Sequence, residues 1–94
     1  MKIAIINPNT TVSMTQEIGA AAARSASPDT ELLVRQSARG PDAIEGPFDG
    51  ALCVPGLLEA LRQAEEDGAM AHVIACFDDT GLDAARALSR RPVI

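Results

Sequence analysis

Aromatic residues are almost absent from this chain of 94 residues, which has Phe48 and Phe77 and no Trp or Tyr. Single-stranded nucleic acid is gripped by aromatic side chains interleaved with Lys and Arg. Here eight basic residues face thirteen acidic ones, the net charge is −5, and the densest basic pair is Arg90-Arg91. Nucleic acid and anionic membrane surfaces are excluded as partners on that balance. Long apolar runs are also lacking, and no stretch approaches the ~18 residues that a membrane helix needs. After Lys2 only Ile3–Ile6 run before Asn7-Pro8 interrupts, so no secretory leader is expected there. Two cysteines, Cys53 and Cys76, make no disulfide framework, and a reducing cytoplasm is the expected setting. Neither cysteine has a second metal-type ligand at zinc spacing and the lone His72 stands in a strand-like run, so no structural zinc site is expected.

What is present is an apolar fraction of 47%, enough for one packed core but spread over a chain too short for two ordinary domains. Strand-like and helix-like segments alternate throughout. Lys2–Ile6 is an unalternating apolar run, the mark of a strand buried on both faces. Met14, Ile18, Ala21 and Ala22 then recur at helical spacing, with Thr10 or Thr11 able to cap and Ser13-x-x-Gln16 offering a capping-box variant. Ser27-Pro28-Asp29 breaks that helix, and Glu31–Gln36 reads as a second strand. Arg39–Pro47 reads as a loop. Phe48–Cys53 is expected as a helical turn, and Pro55 as the first residue of a longer helix with Leu57, Leu58, Leu61 and Ala64 on one face. Gly68 suits the left-handed position after that helix, and Glu65-Glu66-Asp67 reads as a solvated face. Val73–Phe77 is expected as the third strand, a helix with Leu82, Ala85 and Leu88 follows, and Pro92-Val93-Ile94 opens a fourth strand.

Repeated strand–helix–strand order implies an α/β fold, a parallel sheet of about four strands joined by right-handed crossovers. The chain ends on apolar residues as the fourth strand opens, so the expectation is one domain over residues 1–94 that is a piece of a longer protein. Ligands of such sheets bind beyond the carboxyl ends of the strands. Three loops lie at that edge: Asn7–Thr11, Ser37–Pro47 and Cys76–Gly81.

Cys76 ends a strand and precedes a helix, where unpaired amides favour a thiolate, although Asp78 and Asp79 add negative charge nearby. The alternative is that Cys76 is a small core residue beside Ile74 and Phe77. Cys53 lies on a helix between Leu52 and Val54, with nothing near it to activate a thiol, and reads as core filler. The amides and hydroxyls of Asn7, Asn9, Thr10 and Thr11 can hold a carboxylate or imide oxygen, or can simply cap and turn the chain. Asp78-Asp79 suits the cap of the following helix better than a metal or phospho-acceptor pair. Glu45 is either a substrate contact or an exposed acid. Neither GxGxxG nor GxxxxGK[ST] occurs, so no nucleotide cofactor is expected.

Ile5-Ile6-Asn7-Pro8-Asn9-Thr10-Thr11 followed by Met14-Thr15 resembles the opening of hydantoin and allantoin racemases, a branch of the Asp/Glu racemase superfamily. Gly40-Pro41-x-x-Ile44-Glu45, Phe48-Asp49, Pro55-Gly56-Leu57-Leu58 and the long run Val73–Arg86, with Cys76-Phe77-Asp78-Asp79-Thr80-Gly81 at its centre, continue the likeness in order. The resemblance implies a cofactor-independent racemase built as a three-layer α/β sandwich of two similar halves. A cysteine from each half faces opposite sides of an acidic carbon, one removing a proton and the other returning it. Cys76 would be the first-half cysteine, with Asn7, Asn9, Thr10, Phe77, Asp79 and Thr80 against a small-molecule substrate: a hydantoin, allantoin or an amino acid. It also implies a homo-oligomer at full length.

Two departures stand out. Many relatives carry Gly-Asp-Pro where this chain has Asp78-Asp79-Thr80, and the second-half cysteine is absent from these residues. The isolated chain is therefore expected to be inactive or nearly so. Other readings are a cysteine-dependent decarboxylase or cis–trans isomerase on the same scaffold, or a non-catalytic α/β binding module with an unreactive thiol.

Overall fold

The computed structural model describes residues 1–94. In chain order it consists of β1 (Lys2–Asn7), α1 (Val12–Ser25), β2 (Glu31–Gln36), α2 (Pro47–Glu66), β3 (Ala71–Ile74) and α3 (Leu82–Leu88). The strands form a parallel sheet in the order β2-β1-β3. β1 is central, pairing Ile3 with Leu32 on one side and with Ala71 on the other. Val93 makes a parallel bridge to His72, so residues at the chain's end begin a fourth position on the outer edge of β3.

Alternation along β1 sorts its side chains between two faces. Ala4 and Ile6 join Leu57, Leu61 and Ala64 of α2, Ile74 of β3 and Ala85 of α3 in the main core. The apolar positions of α2 recur at Cys53, Leu57, Leu61 and Ala64, a stripe that lays the helix along the sheet. The opposite face, with Ile3, Ile5, Leu32 and Val73, lies beside α1, none of whose residues is fully buried. Gly68 follows α2 in the left-handed conformation, at φ 101°, as its place in the sequence predicts.

Several expectations are corrected. The third strand is Ala71–Ile74 and not Val73–Phe77, because β1 offers pairing partners only from Ile3 to Ile6 on that side. Phe48–Cys53 and the helix after it are one helix that starts at Pro47, with Pro55 in its interior. The backbone bond that Pro55 cannot donate would have gone to Ala51, and both residues are exposed, so water can satisfy the freed carbonyl. The acids after Ala64 are not simply a solvated face. Glu65 accepts from Ser89 and lies 3.2 Å from the buried His72 Nε2, while Asp67 pairs with Arg35 at 2.8 Å. Thr11 is the N-cap of α1, but its hydroxyl donates to the Asp42 carbonyl instead of capping. Neither Asp78 nor Asp79 caps α3, whose N-cap is Gly81.

Candidate active site

The connections from β1 to α1 and from β3 to α3 leave the carboxyl edge toward opposite faces, and a crevice opens where they part. Asn7 ends β1 and is buried there. Its Nδ2 donates to Asn9 Oδ1 (2.8 Å) and Thr15 Oγ1 (3.0 Å), and its Oδ1 accepts from the Asn9 amide (3.2 Å). Asn7 is thus spent on holding the loop, a use of Asn side chains that keeps a tight turn in register. Asn9 differs. Its Oδ1 also takes the Thr11 amide, but its Nδ2 meets only Met14 Sδ, a weak acceptor, at 3.4 Å. That amide keeps donor capacity for a ligand.

The second loop is strapped to the first. Ser37 is fully buried and donates to the Pro8 carbonyl, and the Thr10 amide donates to Pro41. This brings Ala43 and Ile44 over the crevice. Helix α2 can pass under the same loop because Gly56 has no side chain, since a Cβ there would lie 2.4 Å from the Arg39 carbonyl oxygen.

Two residues past β3, Cys76 lies at the third side of the crevice. The Ala75 amide donates to Ile6 and the Cys76 amide to Ile74, which ties the residue to the sheet edge. The turn beyond reverses through Asp79 at φ 57° and Gly81 at φ 75°. Gly81 is required for space as well as for conformation, because a Cβ would stand 2.5 Å from Leu57 Cδ2. The turn folds Asp78 back, and the half-buried Cys76 Sγ donates to Asp78 Oδ1 at 2.9 Å. Thr80 Oγ1 donates to the same oxygen at 2.5 Å and lies 3.6 Å from the sulfur. The thiol first, and the Thr80 hydroxyl next, hold the Asp78 carboxyl below its ordinary range.

Together these loops enclose an open cavity of about 230 Å³ lined by Asn7, Asn9, Met14, Ile44, Cys76 and Phe77, with smaller contributions between them. Of the residues expected from the sequence, Asn7, Asn9, Cys76 and Phe77 meet there. Phe77 stands at the rim, 98% exposed, and is no part of the core. Thr80 reaches the cavity's edge through its bonds to Asp78 and Cys76, whereas Thr10 and Asp79 lie outside the lining. Ile44, not Glu45, faces the crevice, and Glu45 is exposed. Met14 and Asp78 were not among the expected site residues. Met14 carries the helical periodicity of a core position, and Asp78 reads as a cap, so nothing in the pattern marked either one.

Cys53 is fully buried on α2 and donates to the Gly50 carbonyl at 3.2 Å. Burial first, then the nearby Cys76 and Asp78, push its thiol up. It is packed as core, as its neighbours predicted. No group of three or more His, Cys, Asp or Glu side chains is arranged to hold a metal ion, and no helix is long and apolar enough to cross a membrane.

Residues 3–94 match the family described as Asp/Glu/Hydantoin racemase. The chain belongs to the Asp/Glu/hydantoin racemase family. Within that family it is 45% identical over 94 residues to a hydantoin racemase of Pseudomonas sp. (strain NS671), and all of the chain aligns with 38% of that protein. An allantoin racemase from Klebsiella pneumoniae superposes with a TM-score of 0.96 at 50% identity, covering all of this chain and 38% of the other. The allantoin racemase of Pseudomonas fluorescens gives 0.92 at 29% identity, covering 40% of its chain. The α/β architecture is that of these racemases. The chain spans about two fifths of the length of the relatives it matches.

Proposed function

We propose that this chain is most of the N-terminal one of two similar halves of a cofactor-independent racemase, and that Cys76 is that half's proton-transferring thiol. The observation that carries the reading is the thiol itself, held at the sheet edge against a cavity that also receives the free donor of Asn9. Racemisation at a carbon beside a carbonyl needs an acid/base group on each face of the planar intermediate. A thiol serves because it releases and regains a proton near neutral pH. In one direction the Cys76 thiolate accepts the proton from carbon and becomes a thiol. In the other the thiol gives its proton to the carbanion from the same face. The second face requires a group supplied from outside residues 1–94.

The polar groups around the cavity are side-chain amides, a hydroxyl and a carboxylate, with no Lys or Arg in the lining. A neutral ring bearing its own N–H and C=O groups, a 5-substituted hydantoin or allantoin, suits that set better than a free amino-acid carboxylate. The names of the relatives point the same way. A cytoplasmic setting is consistent with two unpaired thiols. Self-association through the exposed Phe48, Leu52 and Phe77 is part of the proposal and is read directly by light scattering.

The test is a chimera in which this chain replaces the matching N-terminal portion of the Klebsiella allantoin racemase. The chimera is expected to racemise allantoin or a 5-substituted hydantoin in polarimetry, to lose that activity on Cys76→Ser, and to keep it on Cys53→Ser. The isolated chain should show none. A folded chimera inert on both compounds would overturn the reading, and a product of changed connectivity would favour the decarboxylase alternative.

A further inference from the structure

Resting on Cys76 as the reacting thiol, we propose that Asp78, clasped by Thr80, is a positioning residue that keeps the Cys76 proton on sulfur. This cysteine therefore rests as the proton donor of its site. Three atoms carry the argument. Cys76 Sγ is 2.9 Å from Asp78 Oδ1, Thr80 Oγ1 is 2.5 Å from the same oxygen, and Thr80 Oγ1 is 3.6 Å from the sulfur. An ionised carboxylate only accepts, so the bond at 2.9 Å exists while the proton is on sulfur. A thiolate in the same place would set two negative charges side by side.

Thr80 gives the arrangement a second position. Its single proton goes to Asp78 while the sulfur holds its own, and it can turn to the sulfur once that proton has gone to the substrate carbon. Asp78 thus supports the thiol, and Thr80 supports the thiolate that follows. Asp79 fixes the geometry between them, since its left-handed backbone and the Leu82 amide bond to its carbonyl close the turn around the pair. The consequence is directional: from the resting state, the face served by Cys76 is the one that receives a proton, and abstraction begins on the other.

The experiment is alkylation of Cys76 by iodoacetamide across a pH series on the 94-residue chain, with the modified peptide followed by mass spectrometry. Only the thiolate reacts. Asp78→Asn keeps the shape and the acceptor for Thr80 but removes the charge. A unit charge at about that separation, screened as in bulk water, changes an equilibrium on the order of tenfold. The Asn variant is expected to react on the order of tenfold faster at neutral pH, with its profile displaced to lower pH. Thr80→Val is expected to react more slowly, with its profile displaced upward. Superimposable profiles for wild type and Asp78→Asn, in chains that share one circular dichroism spectrum, would overturn the proposal. So would displacement of both variants in one direction. The readout needs no substrate, so an inert chimera with displaced profiles refutes the racemase reading alone, and an active chimera with superimposed profiles refutes the role of Asp78 alone.

Discussion

Replacing Gly56 by alanine tests how closely α2 is seated under the loop that carries Ile44 to the cavity. The added Cβ would stand 2.4 Å from the Arg39 carbonyl oxygen and 3.0 Å from Ser37 Cβ. Ordinary C···O contacts begin near ~3.3 Å, so helix and loop must part by about 0.9 Å. Overpacking of this kind costs about 1–3 kcal/mol, and a main-chain obstacle puts it at the upper end. Alanine returns about 1 kcal/mol of helix propensity. The net loss is about 2 kcal/mol, which lowers Tm by roughly 8–16 °C in a domain of this size. Gly50→Ala, in the same helix, meets nothing closer than Thr80 Cγ2 at 3.8 Å. It keeps the propensity gain and should raise Tm by roughly 4–8 °C. Thermal unfolding followed by far-UV circular dichroism reads both. A Gly56→Ala chain that melts at or above wild type would refute the close-approach argument, as would a common sign for the two variants.

Two further outcomes are expected. The Ser89 hydroxyl, and after it His72, hold the Glu65 carboxyl below its ordinary value of 4.5. The folded chain therefore binds that proton more weakly than the unfolded one, and the resulting stability is present above pH 4.5 and fades as pH falls through the lower folded value. Urea midpoints between neutral and acid pH should fall more steeply for wild type than for Glu65→Gln, and parallel lines would contradict the anchoring. In the folded chain iodoacetamide should modify Cys76 and spare the buried Cys53, which becomes reactive only in urea. Equal labelling of both in native buffer would show that α2 does not seal Cys53.

The sheet was legible in the sequence because each strand carries a short apolar run, Ile3–Ile6 in β1 and Leu32-Leu33-Val34 in β2. β2 falls at the expected Glu31–Gln36, and β1 runs one residue beyond the expected Ile6. β3 was displaced because Val73–Phe77 is as apolar as Ala71–Ile74, and only the register offered by β1 decides between them. Pro55 misled the start of α2 for a related reason. Proline at a first helical position and proline on the exposed side of a long helix look alike until the burial of its neighbours is known. In the site, topology alone pointed to the strand-end loops, whereas Asn9 and Cys76 were singled out within them by the resemblance, since the pattern also allowed a turn residue and a core thiol. Asp78 was not, because the two adjacent acids are indistinguishable in a pattern, and the backbone sign at Asp79 decides which one folds back to the thiol.

The strand-end position of Cys76 has a consequence for backbone protection. The amides of Ala75 and Cys76 are the last on this segment to donate to main-chain carbonyls, and none from Phe77 to Gly81 does so before α3 begins. Hydrogen exchange should therefore change abruptly within a few residues. Slow amides of β3 lie on one side of the sulfur, and faster-exchanging amides without main-chain acceptors lie on the other. The sulfur sits on that boundary, its main chain pinned to the sheet, while the turn beyond it is held to the sulfur through the Asp78 carboxylate and leaves the exposed Phe77 side chain unpacked at the mouth of the crevice.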